Sequence, residues 1–535
     1  MYVRPPLLIL AFALLLTDQA AAEKSDAPPP PPRKILFFDL GKLDDWHQVE
    51  LKQGEPRWIP EGGYVDPADP KRGVHFPSVW RDDTSGKWRM VHSTKWSPFT
   101  LMAAESDDGI TWRPLPVPDA QPEGGKLAPH HVFTLTDGAG STAYLDPQAT
   151  DGWRFRIFGR QDGETVIRRA AADPAHPWHE AAKADTPSEK KRFITEAVTV
   201  VSKDGLHWEL KTGGHWCWDT PGWHPEPPVF AFWNAKTRTH TMTVRPGWGD
   251  RRQCLRFTKD LATWTAPELQ FQPDPLDTAG PVGMYGLPVL PVGNGAGYAG
   301  LLWMFRNGSS RPVNSYNQFF GVMDAEFVYS YDGVRFFRGP REPFLKRNPI
   351  PLPGCTQIRP CAIIETGGEI RIYSEAHRGE HGRERPQQEL AGDEPLGSLM
   401  LHTLRRDGWM RLRPLGDWGR IQTKPLVLWA PGIRLNAAAN YGEVRFQITD
   451  DKSEAIPGFS FDDCVPLRAA DALDHAMKWK NNADLARVVG QPIRIEIEFR
   501  NADLYALDLS HHFLDAQDMW LLKQDLPIDP TLFDY

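Results

Sequence analysis

Cysteine is scarce. The 535-residue chain has five, Cys217, Cys254, Cys355, Cys361 and Cys464, an odd number scattered over a long sequence, which excludes a disulfide-dense scaffold. Cys355 and Cys361 are close enough in sequence to bridge, and buried free thiols are the equal alternative. Long hydrophobic runs are missing too: the stretch Leu7–Leu16 is half of the roughly 20 residues that a membrane span needs. No basic block occurs, and 61 Lys and Arg face 69 Asp and Glu for a net charge of −8, which argues against nucleic acid as a partner. With 50 Pro and 45 Gly, little room is left for long helices, and an all-helical fold is excluded.

What is present is punctuation and tryptophan. Arg4, the apolar run and Ala20-Ala21-Ala22 stand in the order of a cleavable secretory signal over 1–22. A secreted or periplasmic protein is therefore expected, with 23–34, containing Pro28 to Pro32, as a stiff linker. A turn followed by an aromatic residue recurs five times: Ser106-Asp107-Asp108-Gly109-Ile110-Thr111-Trp112, Ser202 to Trp208, Thr258 to Trp264, Ser330 to Phe336, and Arg406-Asp407-Gly408-Trp409. Asp-Gly is a hairpin signal, and the segments before each copy alternate as strands do. Three or four strands per unit, repeated five times, predict an all-β fold with a five-bladed β-propeller over 35–418. Ile35 to Asp39 is positioned to close the ring by joining the last blade. Beyond Trp418 strict alternation, as in Glu443 to Ile448 and Ile493 to Phe499, predicts a C-terminal β-sandwich over 419–510, with 511–535 as a tail.

In a propeller the first strand of each blade surrounds the axis, so chemistry is expected where those strands begin. The candidate starts are His75-Phe76-Pro77, Leu145-Asp146-Pro147, Pro225-Glu226-Pro227, Gly286-Leu287-Pro288 and Arg359-Pro360-Cys361, each marked by proline. On these starts and the repeats, residues 35 to 415 resemble the five-bladed glycoside hydrolases of families 43, 32 and 117. The resemblance implies three acidic residues from the first three blades acting as base or nucleophile, orienting carboxylate and general acid. Asp146 matches the second and Glu226 the third. Phe76 stands where the first-blade acid is expected, so a replacement is sought in Asp39, Asp45, Asp66 or Asp324, with Asp324 and Asp45 preferred.

Glycosidic cleavage needs one protonated carboxyl and one ionised carboxyl. Glu226, among prolines and near Trp218, Trp223 and Trp233, is the candidate acid, because desolvation raises a carboxyl pKa. Asp146 is its ionised support; the alternative for Asp146 is a plain Asp-Pro turn. Arg359, His75, Trp218, Trp223, Glu375, His377 and His381 are candidate carbohydrate-binding residues. Glu375, His377, Glu380 and His381 form a cluster able to bind a metal or sugar hydroxyls, yet their spacing fits no defined zinc motif and a solvated polar loop is the preferred reading, so neither metal nor cofactor is expected. Trp112, Trp208, Trp264 and Trp409 are assigned to blade packing, and Trp216, Trp218, Trp223, Trp248 and Trp303 to sugar stacking. Two other readings stay open: a non-catalytic carbohydrate-binding propeller, and a sialidase-like hydrolase, which wants three arginines at the axis. The sugar, the linkage and the oligomeric state are not encoded in any recognisable motif.

Overall fold

The computed structural model describes residues 31–71, 73–94, 98–176, 178–184, 194–211, 226–245, 251–277, 282–306, 321–348, 352–381, 395–480 and 483–528. It is all-β apart from short helices such as Gly163–Ala172 and Ala516–Lys523. No helix among the described residues is long and apolar enough to cross a membrane.

Five antiparallel meanders follow one another. The first runs His75–Arg81, Trp88–Ser93, Phe99–Ser106 and Arg113–Pro114. The second begins at Gly138–Ala139 and Ala143–Leu145 and continues through Phe155–Gln161, Glu196–Ser202 and Trp208–Lys211. The third is Glu226–Asn234, Thr239–Arg245, Gln253–Thr258 and Glu268–Phe271. The fourth is Val282–Met284 and Val289–Val292, then Gly297–Arg306, Val322–Ser330 and Phe337–Leu345. The fifth is Gln357–Thr366, Glu369–His377 and Gly397–Arg405, and its outermost strand, Arg57–Tyr64, comes from the other end of the sequence.

First strands of neighbouring meanders touch in a closed circuit. The Ser78 hydroxyl accepts from Ala143 N–H at 2.7 Å, and Ser141 bonds both the Val229 carbonyl and its N–H. Trp303 donates to the Pro360 carbonyl at 2.8 Å, and the fifth first strand packs against the first. This is a propeller-type ring. Trp303, expected on a sugar-facing loop, is instead fully buried on the second strand of the fourth meander, because its indole N–H is committed to that contact.

The recurring turn has one physical cause in four copies. A carboxylate oxygen accepts from the hydroxyl two residues before it and from the backbone N–H groups two and three residues after it. For Asp108 the three distances are each 2.8 Å; Asp204, Asp260 and Asp332 repeat the set. The next residue sits at positive φ, 74° at Gly109 and 70° at Gly333, where glycine carries no steric cost. The closing aromatic packs on the preceding meander: Trp264 edge-on to Phe158, Phe336 to Phe232 and Trp112 to Tyr373. Trp409 stacks on Phe327 and Phe344.

The second body is one antiparallel sheet folded around its own core, with Phe446, Ile448, Ile495, Ile497, Phe499 and Leu507 all buried. Its strand order is Leu43–His47, Gly419–Thr423, Arg494–Arg500, Leu426–Thr449, Asp503–Phe513, Met410–Pro414 and Val49–Gln53. Arg33–Leu36 also pairs with Asp503–Phe513. The segment from Ile35 therefore does not close the ring. Its alternation suits either sheet, and Ile35 and Phe37 are buried in the core of the second. Cys355 and Cys361 are unbridged; their thiols point to the carbonyls of Arg378 and Arg359.

Replacing Asp332 by Ala should cost about 2 kcal/mol, since the hydroxyl and two N–H groups of its turn lose their acceptor; urea unfolding of the full chain measures it.

Candidate functional site

The first strands of the first, third and fifth meanders begin at His75, Glu226 and Gln357, at one end of the ring. Here the fifth meander meets the first. Glu375, wholly buried, lies opposite Arg359 in the strand register and is ion-paired with its guanidinium. The His75 Nδ1 lies 2.5 Å from Glu375 Oε1. Glu375 Oε2 accepts from the Phe76 N–H at 3.4 Å, and His377 Nε2 is 3.6 Å from Oε1. Four residues singled out in the sequence, His75, Arg359, Glu375 and His377, are thus brought into one cluster.

Phe76 explains part of this geometry. It is buried, yet its φ is 49°, a left-handed conformation that costs a non-glycine residue roughly 1–2 kcal/mol. That backbone aims its N–H at Glu375. A carboxylate missing from the first strand is in this way supplied from the fifth meander, a partner that the search among Asp39, Asp45, Asp66 and Asp324 did not include. Burial opposes ionisation of Glu375, but the charge of Arg359, then that of His75, outweighs it and holds its carboxyl well below the usual range. Burial also pushes the His377 imidazole down to about 4, so it is neutral at pH 7.

Beside the cluster, His381 Nε2 meets the Tyr285 hydroxyl at 3.0 Å. Arg245 stacks 4.1 Å from the centre of the Tyr285 ring, and Arg251 lies 4.3 Å from that of Phe305. Tyr285, Arg245 and Arg251 carry no sequence mark. Their only clue is the proline-marked Gly286-Leu287-Pro288 that follows Tyr285. Among the described residues, His75, Glu375 and His377 form the one group of three His, Cys, Asp or Glu side chains whose donor atoms all lie within 4.8 Å of one another.

The other candidates lie elsewhere. Asp146 is at the far end of its strand: Ser141, not Leu145, is level with Val229. It accepts from Gln148 N–H in a turn and from Arg156, so the Asp-Pro turn is its observed setting. Asp324 sits on the third strand of its meander, two strands out from the axis, with both oxygens 3.0 Å from Arg306. Burial raises its pKa against the pull of Arg306. Asp45 is exposed on the second sheet, opposite Gln422. Asp66 is buried against His130 and His92, and Asp39 accepts from Tyr329 and Tyr331. Glu226 opens the third meander, opposite Arg245; its side chain, and Trp216, Trp218, Trp223 and Trp248, lie outside the described residues.

At the opposite end the ring encloses a cavity of about 590 Å³, lined mainly by apolar groups including Trp80, Leu145, Phe230, Trp233, Leu290 and Ile363. The charged groups lining it are Arg81, Asp83 and Arg154, so the His75–Glu375 cluster and the apolar space occupy opposite ends.

No family model matches the chain, and no curated protein is similar to it. Solved structures with a related chain trace include an N-acetylgalactosamine deacetylase from F. plautii in complex with blood group B trisaccharide, at 11% identity, covering 67% of this chain and 96% of that one, with a TM-score of 0.41. A GH62 α-L-arabinofuranosidase catalytic domain from Coprinopsis cinerea gives 12%, 66%, 97% and 0.39. A β-1,2-mannobiose phosphorylase from Listeria innocua gives 11%, 65%, 96% and 0.40. TM-scores this low transfer no function.

The unfolded state holds a proton on His377 below about pH 6.5, whereas the folded state takes it up only near 4. Stability contributed by the neutral imidazole is present above that window and is lost as pH falls through it. His377→Gln should reduce the slope of stability against pH by up to about 1.4 kcal/mol per unit between those values, as read from urea unfolding at a series of pH values.

Proposed function

We propose that the chain is a secreted five-bladed β-propeller with a β-sandwich, and that it hydrolyses glycosidic bonds of a poly- or oligosaccharide at the end of the ring where His75, Glu226 and Arg359 lie. One observation carries the reading. An ion-paired carboxylate of the fifth blade, Glu375, lies against the start of the first blade, and a glutamate, Glu226, begins the inner strand of the third. Hydrolysis of a glycoside uses such a pair, one group donating a proton to the leaving oxygen and an ionised one either taking a proton from the attacking water or attacking the sugar itself, with water then releasing it. Glu226 is assigned the acid role and Glu375 the ionised role. Arg359 and His75 orient Glu375, and His381 with Tyr285 offers donors and acceptors to sugar hydroxyls.

Asp146 and Asp324 are left out of the mechanism because Asp146 lies in a turn at the far end of its strand and Asp324 stands two strands out from the axis. The competing reading, a binding module without turnover, draws on the left-handed Phe76 in place of a first-strand acid. Reducing-end release from a panel of poly- and oligosaccharides separates the two. Glu226→Gln should lower turnover by about 100-fold or more while retention in glycan affinity gels persists. Retention without release by the unaltered chain would favour the binding module, and neither retention nor release across the panel would remove carbohydrate as the ligand.

A further inference from the structure

We propose that His75, Glu375 and His377 form a binding site for one divalent transition-type cation, with Zn²⁺, Co²⁺ and Mn²⁺ as the chemical class. The three donor atoms, His75 Nδ1, a Glu375 oxygen and His377 Nε2, already lie within 4.8 Å of one another, so small side-chain shifts bring each to the roughly 2.0–2.2 Å of a metal–ligand bond. His377 Nε2 is buried and has no hydrogen-bond partner among the described residues. It lies 3.6 Å from Glu375 Oε1, so the carboxylate and this nitrogen already face one another.

The donor set selects the ion. Two imidazole nitrogens and one carboxylate suit borderline metals, whereas Ca²⁺ and Mg²⁺ take oxygen ligands. Three protein ligands leave at least one coordination position open. His75 and His377 keep 18% and 12% of their side-chain surface exposed, so solvent reaches the rim of the site although Glu375 and His377 Nε2 are buried, and a water completing the sphere enters from the His75 side. The surroundings supply the outer partners that metal-binding carboxylates use: Arg359 pairs with Glu375, and the Phe76 N–H holds its second oxygen. The guanidinium opposes a second positive charge, so binding in the micromolar range is expected. No motif announces the site, since His75 is 300 residues from Glu375.

The site deepens the hydrolase reading without depending on it. A cation there would hold a water or a sugar hydroxyl at the end of the ring where His75 begins its strand, yet its binding is measured with no glycan present. The full chain, stripped with chelator and dialysed, is titrated with Zn²⁺ by calorimetry and with Co²⁺ by visible absorption. One equivalent should bind, with a Co²⁺ ligand-field spectrum of a nitrogen-containing site. His75→Gln and His377→Gln should each weaken binding by about tenfold or more, and His47→Gln, at an exposed histidine on the second sheet, should not. Thermal melting in chelator confirms that each variant is folded, and where one is not, the other decides. Absence of saturable binding, or equal affinity in the unaltered chain and the folded site variants, overturns the proposal. Cation binding by a chain that releases no sugar would instead leave this site standing and remove the hydrolase reading.

Discussion

The structure depends on the pairing of Arg57–Tyr64 with Gly397–Arg405. Leu399 lies opposite Tyr64, His402 opposite Trp58 and Thr403 opposite Arg57, so the last meander is completed by a strand made before the first. Closing a loop of this length costs about 5 kcal/mol in chain entropy beyond a constant. The seam offsets that by burying Tyr64, Val74, Trp88, Tyr373, Leu399 and Leu401 in one cluster. It also demands close approach: at Gly73, with φ 87°, a Cβ would come within 2.3 Å of the Gly397 backbone. Because the contacts of His75 and the Phe76 N–H with Glu375 join the first meander to the fifth, the polar site is complete only in a ring that has closed.

The fifth turn shows how the second sheet joins in. It lacks the hydroxyl residue of the other four. Asp407 instead accepts from Lys34 at 2.7 and 2.9 Å and from the Asn436 amide at 2.9 Å, and Arg405 donates to Asn436. A motif that elsewhere satisfies its own backbone is here turned outwards to hold the two bodies together.

What could be read from the sequence was local. The turns and their closing aromatics are encoded within at most seven residues, so all five were legible as turns, while the capping by Asp108, Asp204, Asp260 and Asp332 emerged only from the structure. Strand starts at His75, Glu226 and Arg359 were visible through proline, which breaks strand pairing at its own position. The same signal misplaced the second meander, because Asp146-Pro147 marks the end of a strand as readily as a start, while the segments that open it, Gly138–Ala139 and Ala143–Leu145, carry no proline. Long-range pairings were hidden: Glu375 meets Phe76 across 299 residues, and nothing in the alternation of Ile35 and Phe37 tells which of two sheets will bury them.

The order of strands in the second sheet makes the whole ring an excursion from it. The chain leaves that sheet after Gln53 and rejoins it at Met410, where Met410–Pro414 pairs directly with Val49–Gln53. A single nick in any connection of the ring therefore yields two fragments, each still stitched into the same sheet, and the cleaved molecule is retained as a complex rather than shed in pieces.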